Sequence, residues 1–236
     1  MATINDPSDS TKIARVGAVS TATDQSAQHQ SARPVAYGSL GHYKWAGSTG
    51  ILPAALAANS EIFQFRWSHA TNLAVIGKIR ISAAVTTTFF AAGVPVEIDL
   101  IKSTAWSVAG TGGAGVTIAA MGKTRNSMAS SSLAAGDMRI ATTAALGAGT
   151  KTLETGSSMA SLVAAGPITA SLNGTIIAPG TILWEPDMGD GEHPLVLGGL
   201  GGGAVSDGFS IRSVAVPATG TWRVAVSIQW AEVAAF

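Results

Sequence analysis

The densest group of potential ligands in the chain is Asp187-Met188-Gly189-Asp190-Gly191-Glu192-His193, three carboxylates and an imidazole within seven residues. Oxygen donors of this kind suit Ca²⁺, but the acids do not fall at the alternate positions an EF-hand loop requires. A solvated turn between two short strands is the simpler reading, with calcium or an interface role as the other. Gly110-Thr111-Gly112-Gly113-Ala114-Gly115 satisfies the dinucleotide pattern G-x-G-x-x-G letter by letter. That pattern works only between a strand and a helix N-terminus that meets the pyrophosphate, and Val116-Thr117-Ile118 favours a strand instead. It reads as a mobile loop. Gly122-Lys123-Thr124 imitates the end of a phosphate-binding loop, but position 117, where its first glycine belongs, is Thr.

The four histidines, His29, His42, His69 and His193, stand at no spacing from Ser and Asp that suggests a triad, and no G-x-S-x-G elbow exists. Glu97 and Asp99 share one face of a strand, where charge pairing with Lys78 and Arg80 explains them better than a glycosidase pair. These residues predict no catalytic centre, no cofactor and no metal, and a structural protein rather than an enzyme. Trp67, Trp222 and Trp230 alternate with polar residues and belong to a core. Trp45, Trp106 and Trp184 sit near loops and read as subunit-interface anchors in preference to sugar-stacking rings. Tyr37 and Tyr43, flanked by Gly38, Gly41 and Gly47, join them as interface candidates, or else mark the start of the folded domain.

The elements that must hold these residues are strands. In 61–68, Phe63, Phe65 and Trp67 oppose Gln64 and Arg66. In 75–81, Val75, Gly77, Ile79 and Ile81 oppose Ile76, Lys78 and Arg80. In 94–100, Val94, Val96, Ile98 and Leu100 oppose Glu97 and Asp99. Alternation with period two marks strands with one buried face. Short strands are expected at 115–119, 137–141, 151–154, 181–184 and 194–197, with loops at 127–132 and 198–203. A helix is expected at 159–165, where Ala and Leu favour it and Gly166-Pro167 would end it. The segment 209–216 and the strand Trp222, Val224, Val226, Ile228, Trp230 flank a tight turn at 217–220 and read as a hairpin. About eight to ten strands with Gly-rich connections suit an all-β fold, a jelly-roll-like antiparallel β-sandwich. Residues 1–58 lack the alternation and read as an extended N-terminal arm and linker, with a short turn or loop at 53–59; residues 59–236 read as the sandwich domain.

Composition narrows the function. Of 236 residues, 47% are hydrophobic, mostly Ala and Val, so a core forms without metals or disulfides; there is no Cys. Charged residues are 12%, against about a quarter in typical soluble proteins, and the 14 basic and 14 acidic residues cancel. So little charge favours association and argues against nucleic acid, which calls for a basic excess. No apolar run reaches the length of a membrane span, and the N-terminus shows no secretory pattern.

The polar Ala/Ser/Thr arm, the Gly-rich middle and the closing run Gly208-Phe209-Ser210-Ile211-Arg212, Ala218-Thr219-Gly220-Thr221-Trp222-Arg223-Val224 and Gln229-Trp230-Ala231-Glu232-Val233 resemble structural proteins of tailed-bacteriophage virions. The likeness covers mainly 60–100 and 180–233. It implies a capsid decoration (cement) protein on the surface of the virion, made in the host cytoplasm. Its implied partners are the major capsid protein and copies of itself, as a homotrimer or other homo-oligomer, with no nucleic acid and no membrane. A minor tail or connector protein, or a carbohydrate-binding jelly-roll module, is the alternative.

Overall fold

The alternating segments are strands, and a segment with one apolar row and one polar row must turn the apolar row onto another sheet. The computed structural model of the chain describes residues 3–6, 9–15, 40–86, 95–155, 158–164, 174–186, 194–198, 206–216 and 219–234. Two units are present, Met1–Tyr37 and Gly38–Phe236. In the first, β1 (Thr3–Asp6) pairs antiparallel with β2 (Asp9–Arg15). The second begins with β3 (Gly41–Ser48), β4 (Leu52–Pro53), β5 (Ser60–Trp67), β6 (Asn72–Val85) and β7 (Val96–Val108). The short strands β8 (Ala114–Gly115), β9 (Gly122–Lys123), β10 (Met138–Ile140), β11 (Thr150–Leu153) and β12 (Ala160–Ala164) follow. The chain closes with β13 (Thr175–Trp184), β14 (Leu195–Leu197), β15 (Asp207–Ala215) and β16 (Thr221–Ala234).

These strands form two antiparallel sheets packed face to face, ordered β13-β6-β16-β3-β9 and β11-β7-β15-β5-β10-β8, with β14 and β12 extending the edges beside β6 and β7. Pairing runs from the outside of the sequence inward: β3 with β16, β5 with β15, β6 with β13, and β7 with β11 and β12. The members of that series alternate between the two sheets. A long antiparallel ribbon rolled up in this way is the jelly-roll topology.

The core is the aromatic seam between the sheets. Trp45 of β3 stacks on Phe63 of β5 at 5.7 Å, and Trp230 of β16 meets Phe65 edge-on at 5.6 Å. Phe65 also stacks on Phe209 at 5.3 Å within its own sheet. Such pairs add to the burial of ring area. Phe65 and Trp222 are fully buried.

Several expectations are corrected. The segments 209–216 and 221–230 are not a hairpin: β15 lies between β5 and β7, whereas β16 lies in the opposite sheet between β3 and β6. Both strands carry a long apolar row, and crossing from sheet to sheet brings Phe209 and Ile211 from one side and Trp230 from the other into a single core. The helix expected at 159–165 is strand β12, laid antiparallel on Val96–Leu100 of β7. The segment 115–119 is strand only at Gly115, the end of the two-residue β8, and runs on into a 3₁₀ turn at Ile118–Ala120. The sandwich begins about twenty residues before position 59, because β3 pairs with β16 along its length. Val75 does not share a face with Ile79: Trp230 pairs with Ile76 while Gln229 pairs with Lys78, so Gly77 is an extra residue that reverses the alternation. The stretch 110–115, read as a mobile loop, is tied down by the Thr111–Gly147 bridge and by β8.

Candidate functional site

On the outer face of the β5–β15–β7 sheet, ladder register sets Gln64 beside Ser210 and Glu61 beside Arg212, and Arg212 beside Asp99. Lys151 reaches in from β11. Its Nζ donates to Glu61 Oε2 at 2.5 Å and to Ser210 Oγ at 2.9 Å. Ser210 Oγ donates to that same carboxylate oxygen at 2.9 Å, and Gln64 Nε2 donates to it at 2.5 Å. The Trp106 ring covers the ammonium, 3.8 Å from its centroid, and the indole N–H donates to Val108 O at 2.9 Å. Trp106 takes this position because Ala105 turns the strand at φ 51°, and Gly208 leaves room where a Cβ would strike the ring.

A lysine against a serine hydroxyl is the geometry of a Ser–Lys nucleophile pair. Here Ser210 is wholly buried and the Lys151 side chain is 3% exposed, and Glu61 holds the ammonium. Burial pushes the Lys151 ammonium below the usual lysine range, the nearby Glu61 opposing and Arg212 reinforcing that shift. Closed to solvent, the cluster anchors edge strand β11 to the sheet. Next to it Arg212 grips Asp99 with two bonds, Nε at 3.0 Å and Nη2 at 2.5 Å, and Ser158 donates to the same carboxylate. Asp99 therefore pairs with Arg212, not with Lys78 or Arg80. Glu97 accepts from Ser161, and Lys78 pairs with Glu185 on the other sheet.

A third cluster binds a long loop to β16. Buried Glu232 accepts from Ser131 Oγ at 2.5 Å, Ser132 N at 2.9 Å and Trp230 Nε1 at 3.2 Å. Tyr43 O–H donates to Ala129 O at 3.0 Å, and burial, with the Glu232 charge second, raises its pKa.

Of the five aromatic interface candidates, Tyr43, Trp45 and Trp106 lie inside the domain rather than on its surface. Tyr43 and Trp45 alternate inward along β3, and Trp106 roofs the Lys151 cluster. Trp184 is half-buried against the core, its indole N–H enclosed and without a hydrogen-bond partner among the described residues. Tyr37 and the acidic turn 187–193 lie outside the described residues. Among the described residues no three His, Asp or Glu side chains converge as a metal site would need, and no helix is long and apolar enough to cross a membrane.

One flank of the sandwich stands apart. Strands β12, β13 and β14, all at sheet edges, contain no charged residue, and they leave Val163 62%, Ile182 49% and Val196 36% exposed. Soluble monomers usually blunt such edges with Lys or other charges.

Sequence reasoning did not find the Lys151 cluster, although a signal for it existed. In a chain with 12% charged residues, Glu61, Lys151 and Arg212 each fall inside or at the end of a strand. A charge in that setting must find a partner across the ladder. No known family profile, curated protein or solved structure matches the chain.

Proposed function

We propose that this chain is a structural protein of a tailed-phage particle, a capsid decoration protein that acts by burying surface between subunits. The observation that carries this reading is the uncharged edge flank of β12, β13 and β14 with its exposed Val163, Ile182 and Val196. Open edge strands without charge are templates for another chain, and apolar side chains along them gain by being covered. The low overall charge and the jelly-roll topology, which recurs in shell proteins, support the same reading.

Quantitative mass spectrometry of purified particles tests it. A copy number equal to that of the major shell protein, or a simple symmetric fraction of it, is expected. A few copies per particle move the chain to the tail or connector, and its absence from particles refutes the reading. In solution, Val163→Lys with Ile182→Lys lowers the oligomer mass seen by light scattering while leaving the β-sheet circular dichroism unchanged. An oligomer indifferent to both substitutions removes the flank from the interface.

A further inference from the structure

The β13–β6–β16–β3 sheet turns its second face away from the core, and the ladder register determines which side chains share it. Lys44, Gln229 and Lys78 form one row across β3, β16 and β6, and Ala46, Ser227 and Arg80 form the next. Ser48, Ala225 and Ser82 follow, and Arg223 beside Ala84 closes the far end. Short side chains occupy most of the two middle rows and long ones stand at the ends, so this face is a trough. Its central stretch, between Ser48, Arg80, Gly180 and Ser227, is an open groove of about 340 Å³. Four rows set two residues apart span roughly 20 Å, and three strands span roughly 10 Å across.

The trough is basic. It carries Lys44, Lys78, Arg80 and Arg223, and among the described residues only Glu185, bound to Lys78, sets a carboxylate against them. Four cations less one carboxylate leave three positive charges on one face of a chain whose formal charge is zero. Among the described residues Arg223 donates only to neutral oxygens, Thr49 O at 3.1 Å and Ser48 Oγ at 2.8 Å. Among the described residues Arg80 has no ion pair, and its Nε is buried without a hydrogen-bond partner. With no carboxylate set against it among the described residues, the Arg80 guanidinium is a place for an incoming anion, and a carboxylate fits its fork.

We propose that this trough binds an extended acidic segment of a partner protein, with carboxylates on Arg80 and Arg223 and the partner's backbone lying over the small-residue floor. An extended chain of about six residues fills the length. The hydroxyls of Ser48, Ser82 and Ser227 offer hydrogen bonds to it, and the absence of an aromatic ring from these rows disfavours a stacked sugar. The proposal rests on the assembly reading only in placing that partner in the same particle.

The probe is a fluorescein-labelled octapeptide of alternating Glu and Ser, followed by fluorescence polarisation against the full chain at low salt. Saturable binding is expected, weakened about tenfold or more by Arg80→Glu or Arg223→Glu, as loss of a charge-assisted contact implies, and weakened by added salt. Ser227→Trp fills the floor, leaves every charge in place, and is expected to abolish binding. Arg139→Glu, the same charge change on β10 of the opposite sheet, is expected to leave it intact. Circular dichroism establishes that each variant is folded. Failure of the peptide to bind overturns the proposal, as does equal weakening by Arg139→Glu. A heparin hexasaccharide that binds where the peptide does not overturns the choice of a protein partner. Peptide binding by a chain that is absent from particles refutes the assembly reading and leaves the trough standing; presence in particles without peptide binding does the reverse.

Discussion

Replacing Lys151 by Met is the sharpest test of the buried cluster on the β5–β15–β7 sheet. Glu61 Oε2 accepts from Lys151, Gln64 and Ser210, and both charged side chains are almost wholly enclosed, 3% and 6% exposed. Removing the ammonium leaves a buried carboxylate with two neutral donors. Breaking one side of a buried ion pair costs about 3–5 kcal/mol, and the ammonium lost from the Trp106 face is included in that figure. The companion Glu61→Gln/Lys151→Met has no charge left to strand, yet the amide introduced in place of Glu61 still offers an oxygen to Ser210 and Gln64. It is expected to recover at least about 2 kcal/mol of the loss, because double replacement of a buried pair is often neutral or better. Urea unfolding followed by tryptophan fluorescence at one fixed protein concentration reads both values by linear extrapolation. A Lys151→Met variant within about 0.5 kcal/mol of the parent, the range of an ordinary surface change, refutes the assignment of the cluster as an anchor. Additive single effects refute the coupling.

Three other perturbations have definite outcomes. Glu232→Ala leaves the Ser132 and Trp230 N–H groups unpaired in the interior and costs about 2–4 kcal/mol; hydrogen exchange at Ser132 speeds up, and unchanged protection there contradicts the clamp. Burial raises the Asp207 pKa above 3.8, with Gly198 and Lys102 opposing, so the folded state holds that proton more tightly than the unfolded one. The stability it contributes is therefore present below pH 3.8 and declines as pH rises through the folded pKa. Asp207→Asn makes that decline shallower, buried Asp137, whose pKa is also raised, supplying part of what remains; a stability–pH slope above pH 3.8 that the substitution leaves unchanged refutes the assignment. Gly113→Ala sets a Cβ on Ile140 O at φ +57°, whereas Gly180→Ala at φ +79° meets open space. The second costs about 1 kcal/mol of backbone strain and the first more; equal melting temperatures refute the steric reading.

Period-two alternation makes β5, β7 and β16 legible in the amino-acid sequence, because a strand at a sheet surface needs one apolar face and little else. The all-β class and the burial of Trp67, Trp222 and Trp230 follow from the same local rule. Partnership is not legible in this way. A short turn after Ala215 permits either a hairpin or a crossing between sheets, and only the demand that both apolar rows face one core selects the crossing. The Ala- and Leu-bearing β12 has helix propensity of a few tenths of a kcal/mol per residue, and the open edge of β7 outweighs it with ladder hydrogen bonds. Trp45 and Trp106 lie near glycines and loops in sequence, and their burial depends on what the opposite sheet and β11 bring against them. Arg212, Asp99, Glu61 and Lys151 are scattered over more than a hundred residues and meet through strand register. Single strands are written in local periodicity; the clusters and the basic trough exist only where several strands align, and that alignment is a property of the closed sandwich.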